Sequence, residues 1–247
     1  VISGDHTVEV QKKCFELGIS DFIAKPFNNA IIKQRVKNTA EFFDYKLKLE
    51  DKVAEQTNVL RKAYRTLQIQ AEHLKKKNQQ IIEMLGTVVE YRSTESGEHI
   101  QRVKGYTRIL AEAVMEDYPE YELTKEKIDI IESVSALHDI GKIAIPDRIL
   151  LKPGRLTSEE FEYMKSHTIR GCELLDSIKE DWNDDTMKYA YEICRHHHER
   201  YDGKGYPDGL VGDEIPFCAQ LVSVADVYDA LVNERCYKDA FSKEDAY

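Results

Sequence analysis

The residues with the most chemical potential are Ala136-Leu137-His138-Asp139-Ile140-Gly141-Lys142. A histidine stands beside an aspartate inside an apolar helical pattern, and a lysine follows about one turn later. Adjacent helical residues diverge by about 100°, so His138 and Asp139 bind one ion together only where a helix edge meets a cavity. Lys142 lies three and four positions on, on the same side of such a helix. A buried set of this kind is costly unless something binds it. The doublet alone fits a surface or capping pair equally well, and its weight comes from the partners supplied elsewhere.

Those partners lie on both sides of the doublet. Glu95 and His99 are four apart, on one helical face, which suits a metal-ligand pair or a surface pair. His167 is followed by Gly171. Then comes Cys194-Arg195-His196-His197-His198-Glu199-Arg200-Tyr201-Asp202, leading into a Gly/Pro-rich loop with Gly205, Tyr206 and Pro207. A histidine triplet beside two carboxylates is not core composition. Asp226 sits among apolar neighbours, where an unpaired carboxylate is expensive. Together, Glu95, His99, His138, Asp139, His167, His197, His198 and Asp226 are too many ligands for one ion. Imidazole and carboxylate without thiolate suit iron, manganese or zinc in a reactive site rather than a structural zinc. With Asp139 as a bridge, they predict a two- or three-metal centre, able to activate water and clamp a phosphoryl group. Lys142 would stabilise charge on the phosphate oxygens.

Helices must position these groups. Thr124 is an N-cap for a helix reaching His138, with Ile128, Ile131, Val134 and Leu137 as its apolar stripe. Thr157 and Glu160 form a capping box for the helix carrying His167. Pro216 opens the helix that bears Asp226. Upstream, Val53, Leu60, Leu67, Leu74, Ile81 and Val88 recur every seven residues, and Thr57, Tyr64, Ala71, Asn78 and Leu85 complete the seam. Residues 44–92 therefore read as a long helix forming a parallel coiled-coil dimer, with Asn78 helping to fix register. Residues 1–43 alternate strand, helix, strand, helix, the rhythm of a parallel α/β sheet too small to close its own core. The expected fold is mainly α: a helical bundle over 93–247, preceded by the coiled-coil helix and an α/β fragment.

Bulk properties narrow the function classes. The 247 residues carry a formal charge of -10, which disfavours nucleic-acid binding through a basic surface. No apolar run approaches membrane-spanning length, and no leader-like segment opens the sequence. The five cysteines lack CxxC spacing and read as reduced thiols, hence a cytoplasmic protein.

Two resemblances extend this reading. Ile2-Ser3-Gly4 and Gly18-Ile19-Ser20-Asp21-Phe22-Ile23-Ala24-Lys25-Pro26-Phe27 resemble the last third of a two-component receiver domain. That resemblance implies contact of Ser3 and Lys25 with an aspartyl phosphate, often a cis bond before Pro26, and a sensor histidine kinase as partner. The phosphoacceptor aspartate would lie upstream of Val1. The ordered motifs Glu95-x3-His99, His138-Asp139-x-Gly141-Lys142, Met164-Lys165-x-His167-x3-Gly171, His197 to Pro207, and Val224-Ala225-Asp226-x-Tyr228-Asp229-Ala230-Leu231 resemble the HD-GYP family of cyclic dinucleotide phosphodiesterases, over about residues 85–247. The resemblance implies His138, Asp139 and Lys142 at the reaction centre and the eight residues above as ligands. It implies Fe or Mn as the metal, with Zn, Ni and Mg also compatible. It implies that Lys142, Arg235, Tyr237 and Lys238 bind substrate; Cys236 stands where the family has proline. Gly205, Tyr206 and Pro207 would face a protein partner. The expected substrate is cyclic di-GMP, opened to pGpG and onward to GMP. The alternatives are a non-hydrolysing sensor of the same fold, or hydrolysis of another nucleotide such as cyclic GMP-AMP. Both chain ends look cut, with the HD-GYP part truncated at its C-terminus.

Overall fold

Apart from two short strands, the regular structure of the described residues is helical. The computed structural model describes residues 2–3, 7–19, 21–26, 28–93, 97–179 and 182–233. The predicted ligand Glu95 and the predicted substrate contacts Arg235, Tyr237 and Lys238 lie outside them. The chain divides into two compact units, Val1–Glu72 and His73–Tyr247.

In the first unit, β1 (Ile2–Ser3) pairs in parallel with β2 (Ile23–Ala24), with Ile2 opposite Ile23. Helix α1 (Val8–Glu16) connects them, and the Lys25–Pro26 peptide is cis. Helix α2 runs unbroken over Asn29–Arg92. Its heptad residues stay uncovered: Val53, Leu60 and Leu67 are exposed in the first unit, and Leu74, Ile81 and Val88 in the second. A different stripe, Ile82, Gly86, Val89 and Glu90, is buried in the second unit.

The second unit continues with α3 (Gly97–Asp117), α4 (Lys125–Ser135), α5 (Asp147–Leu150), α6 (Ser158–Lys165), α7 (His167–Asp176), α8 (Asp184–His196) and α9 (Phe217–Val232). Helix α3 packs against α4 and α9; α8 packs against α4, α7 and α9. The shared core is aliphatic, with Val103, Ile128, Ile131, Val134 and Ile193 fully enclosed. Thr124 caps α4 through Lys127 N–H, and Thr157 with Glu160 closes the capping box of α6.

The helices end earlier around the ligands than the apolar pattern predicts. Helix α4 stops at Ser135, and the chain tightens through bonds from Leu137 N–H to Val134 O and from His138 N–H to Ser135 O. A 3-10 turn over Ile140–Ala144 follows. His138 and Asp139 therefore leave an α-helix whose geometry would splay them apart, and both side chains become buried. The segment expected as one helix through His167 breaks at Ser166, whose hydroxyl donates to Tyr163 O. His167 thus opens α7.

Since Ile131 sits at the enclosed α4 face, Ile131→Ala is expected to lower stability by about 2–5 kcal/mol, read as a shift in the denaturant midpoint at constant slope.

Candidate metal centre

Buried lone pairs converge where α4, α7 and α8 meet. His138, His167 and His197 are each almost wholly buried. Nδ1 of His138 lies 2.8 Å from Ser135 O, and Nδ1 of His167 lies 2.9 Å from Met164 O. Nδ1 of His197 lies 3.0 Å from Ile193 O. A carbonyl only accepts, so each Nδ1 carries a proton and donates it. Each Nε2 then faces inward, and none of the three finds a hydrogen-bond partner among the described residues. Asp139 Oδ1 is likewise unpartnered, though it lies 3.1 Å from His167 Nε2 and 3.7 Å from His197 Nε2. Acceptors facing acceptors at these distances is costly inside a protein. It is the arrangement that a cation satisfies.

Two ligand groups share this space. One ligand atom from each of Asp139, His167, His197 and His198 lies within 4.8 Å of the others. Glu90, His99 and His138 form the second group by the same measure. Asp226 adjoins it, with Oδ1 3.6 Å from His99 Nε2. Asp139 faces both groups, since its Oδ2 lies 3.2 Å from His138 Nε2. The same oxygen accepts the Lys142 ammonium at 2.6 Å. In a third group, His196, Glu199 and Asp208, both carboxylates are already committed to internal donors. Glu199 accepts from the backbone N–H groups of Asp208, Gly209 and Leu210, and Arg195 holds Asp208 through two bonds.

The electrostatics match a site built for cations. Burial opposes charge on His138, but Asp139, with Asp226 and Glu90 behind it, outweighs that and holds the imidazole up at about 10. Burial would raise the Asp139 carboxyl; Lys142 and His138 overcome this and keep it well below the usual carboxylate range. Burial pushes His197 and His198 down, which keeps both rings neutral. Neutral imidazoles around an ionised carboxylate are the protonation states that a divalent metal requires. Without thiolate, they fit a catalytic rather than a structural ion.

Close backbone approaches hold the groups together. A Cβ on Gly141 would lie 1.8 Å from His167 O, so only glycine lets the Asp139 turn touch the start of α7. A Cβ on Gly86 would lie 2.2 Å from Ala136 O, which similarly seats the end of α2, and Glu90 with it, against the His138 turn. Arg92 ties the same region by donating to Lys142 O, Ile143 O, Ile145 O and Asp147. Over α8, Tyr206 N–H donates to His198 O, and the Tyr206 ring lies 4.7 Å from the His198 ring.

Seven of the eight predicted ligands are thus brought together, and Glu95 is the one outside the described residues. Glu90, Asp229 and the two arginines Arg92 and Arg102 were not anticipated. Glu90 had a signal: Ile82, Gly86 and Glu90 recur every four residues, off the heptad seam. Asp229 had a weaker one, a second acidic residue one turn after Asp226 in an apolar helix. It lies 2.7 Å from His99 Nδ1. Burial would raise its carboxyl, but His99 and Arg102 hold it lowered.

The HD domain family model matches residues 61–247 of this chain. A cyclic di-GMP phosphodiesterase of Thermotoga maritima is 36% identical over 250 residues, covering 100% of this chain and 64% of the relative. The cyclic di-GMP phosphodiesterase response regulator RpfG of Xanthomonas campestris is 35% identical, covering 99% of this chain and 60% of its own length. The 3'3'-cGAMP-specific phosphodiesterase 2 of Vibrio cholerae is 41% identical over 171 residues, 69% of this chain and 31% of the relative. The chain thus spans less than two thirds of the length of each of these relatives.

Two outcomes follow from the geometry. Gly141→Ala must separate Asp139 from His167, so bound divalent metal, measured by elemental analysis after dialysis, should fall by at least one equivalent per chain. Metal uptake must also expel the proton that His138 carries below about 10. Affinity for Mn(II) should therefore rise with pH between 6 and 8, by up to about tenfold per unit for one displaced proton. Calorimetric titrations at several pH values check the sign.

Proposed function

The chain belongs to the HD domain family, and from that premise we propose that it is the catalytic part of a metal-dependent phosphodiesterase. Its substrate is cyclic di-GMP, hydrolysed to linear pGpG and onward to GMP. The observation that carries this reading is the convergence of three unpartnered Nε2 atoms on the Asp139 carboxylate, those of His167 and His197 on its unpartnered Oδ1 and that of His138 on Oδ2. Bound divalent ions, iron or manganese first, would act as Lewis acids and lower the pKa of water for attack on phosphorus.

The chain's own residues supply the rest. Asp139, between the two ligand groups, sets their spacing. The Lys142 ammonium is held beside it at 2.6 Å and stays at the edge of the site, where it neutralises charge on the phosphoryl oxygens. Arg235, Tyr237 and Lys238 would hold the phosphates and bases of the dinucleotide, and Glu95 would complete the ligand set. Hydrolysis adds water across one P–O3′ bond, leaving a 5′-phosphate on one nucleotide and a 3′-hydroxyl on the other.

Around this core we read a response regulator. Residues 1–43 are the end of a receiver domain, which the parallel β1–β2 pair supports. Residues 44–92 are a coiled-coil helix joining two copies, which the uncovered heptad seam supports. Residues 93–247 are the phosphodiesterase domain. A sensor histidine kinase would address the receiver, and Gly205, Tyr206 and Pro207 would meet a protein partner. No helix among the described residues is long and apolar enough to cross a membrane, and a cytoplasmic setting suits the substrate.

A second reading keeps the chemistry and changes one base. The relative specific for 3'3'-cGAMP shares 41% identity with this chain, and phosphate contacts do not separate the two substrates. Chromatographic assay with Fe(II) or Mn(II), free of oxygen, decides. Cyclic di-GMP should yield pGpG at least tenfold faster than 3'3'-cGAMP is opened, and Asp139→Asn should lower either rate by at least 1000-fold, on the order of removing one essential group. Faster opening of 3'3'-cGAMP would establish the second reading; no product from either, with metal bound, would exclude both.

A further inference from the structure

Four imidazoles of the centre are anchored in two different ways. His138, His167 and His197 donate Nδ1–H to backbone carbonyls. His99 instead sets Nδ1 2.7 Å from Oδ2 of Asp229, a carboxylate that is 1% exposed. The remaining capacity of Asp229 is filled. Arg102 Nε donates to Oδ1 at 2.6 Å and Arg102 Nη2 to Oδ2 at 3.0 Å. Asn233 Nδ2 donates to Oδ1 at 2.9 Å. Asp229 stands one turn after Asp226 on α9, and Asp226 lies 3.6 Å from His99 Nε2. One helix thus supplies a carboxylate to each side of the same imidazole.

The two acceptors are not equivalent. A carboxylate places a full negative charge behind the ring, whereas a carbonyl places a dipole. The charged acceptor raises the basicity of the opposite nitrogen and fixes the tautomer more firmly. Asp229 itself reaches no shared ligand space, because both its oxygens are committed to His99, Arg102 and Asn233.

We propose that Asp229 is a positioning residue that sets the cation affinity of the His99 end of the centre. It locks Nε2 of His99 toward the space shared with Glu90, His138 and Asp226, and it strengthens that nitrogen as a donor. The Asp139, His167, His197 and His198 end does not depend on it. This inference rests on the metal-centre reading and deepens it, by dividing the centre into two ends tuned by different outer partners.

The test titrates the metal-free full chain with Mn(II) alone, following bound and free ion by electron paramagnetic resonance and stoichiometry by elemental analysis. Asp229→Asn is expected to weaken one class of sites about 10- to 100-fold and leave the other unchanged. Asp229→Glu keeps the charge, and it should move the same class in the same direction by a smaller factor. In a His99→Gln background, Asp229→Asn should add nothing further, because its effect passes through that ring. Parent-like binding in both Asp229 variants would overturn the proposal. So would equal weakening of all sites, or a full additional loss in the His99→Gln background, either of which marks a merely structural role. A parent protein that takes up no Mn(II) overturns the metal-centre reading, and this inference with it.

Discussion

The second unit is organised around one carboxylate that cannot be buried at low cost. Asp139 lies 7% exposed among three inward-facing imidazoles, and one of its oxygens has no hydrogen-bond donor. An ionised carboxylate in apolar surroundings carries a penalty of several kcal/mol unless positive charge stands beside it. Lys142 and His138 supply part of that charge, and the raised His138 and lowered Asp139 titrations are two expressions of the same demand. A divalent ion meets it more completely, because it also satisfies the Nε2 lone pairs. Much of the local architecture serves to keep those atoms facing one another.

Rigidity behind the ligands is what makes this possible. Each of three histidines has its outer nitrogen committed to a carbonyl of its own helix or turn, so its inner nitrogen has no alternative direction. The helices that carry them meet at glycine, where backbone replaces side chain as the contact. Arg92 ties the segment after Lys142 to the end of α2. The loop beyond the histidine triplet is shaped from within by Glu199, whose buried carboxylate gathers three consecutive backbone N–H groups. That leaves Tyr206 stacked beside His198, so the loop and the ligand are mechanically one piece.

Within the second unit, the end of α2 has two faces with different obligations. Ile82, Gly86, Val89 and Glu90 are buried, and Glu90 reaches the ligand cluster. Ile81, Leu85 and Val88 remain exposed on the heptad seam. One rigid element therefore carries both a group at the metal centre and an apolar stripe that needs a cover. The heptad pattern masks the second stripe in the sequence, because the stronger period dominates the helix.

Chemistry and order were legible in the residues alone. Residue types with few bland explanations, a histidine triplet, a His-Asp doublet and an aspartate in an apolar helix, name a metal centre without reference to distance. Capping residues Thr124 and Thr157 mark helix starts because their side chains act on backbone only two or three residues away. Tertiary structure decided what depends on contact between distant segments. Apolar periodicity runs straight through His138 and through His167, yet both helices break there, because close approach at Gly141 and local serine bonds outweigh propensity. Glu90 and Asp229 joined the site for the same reason. A buried acid is recognisable in sequence only by apolar neighbours, while its role is set by what lies across the fold, for Asp229 a histidine 130 residues away.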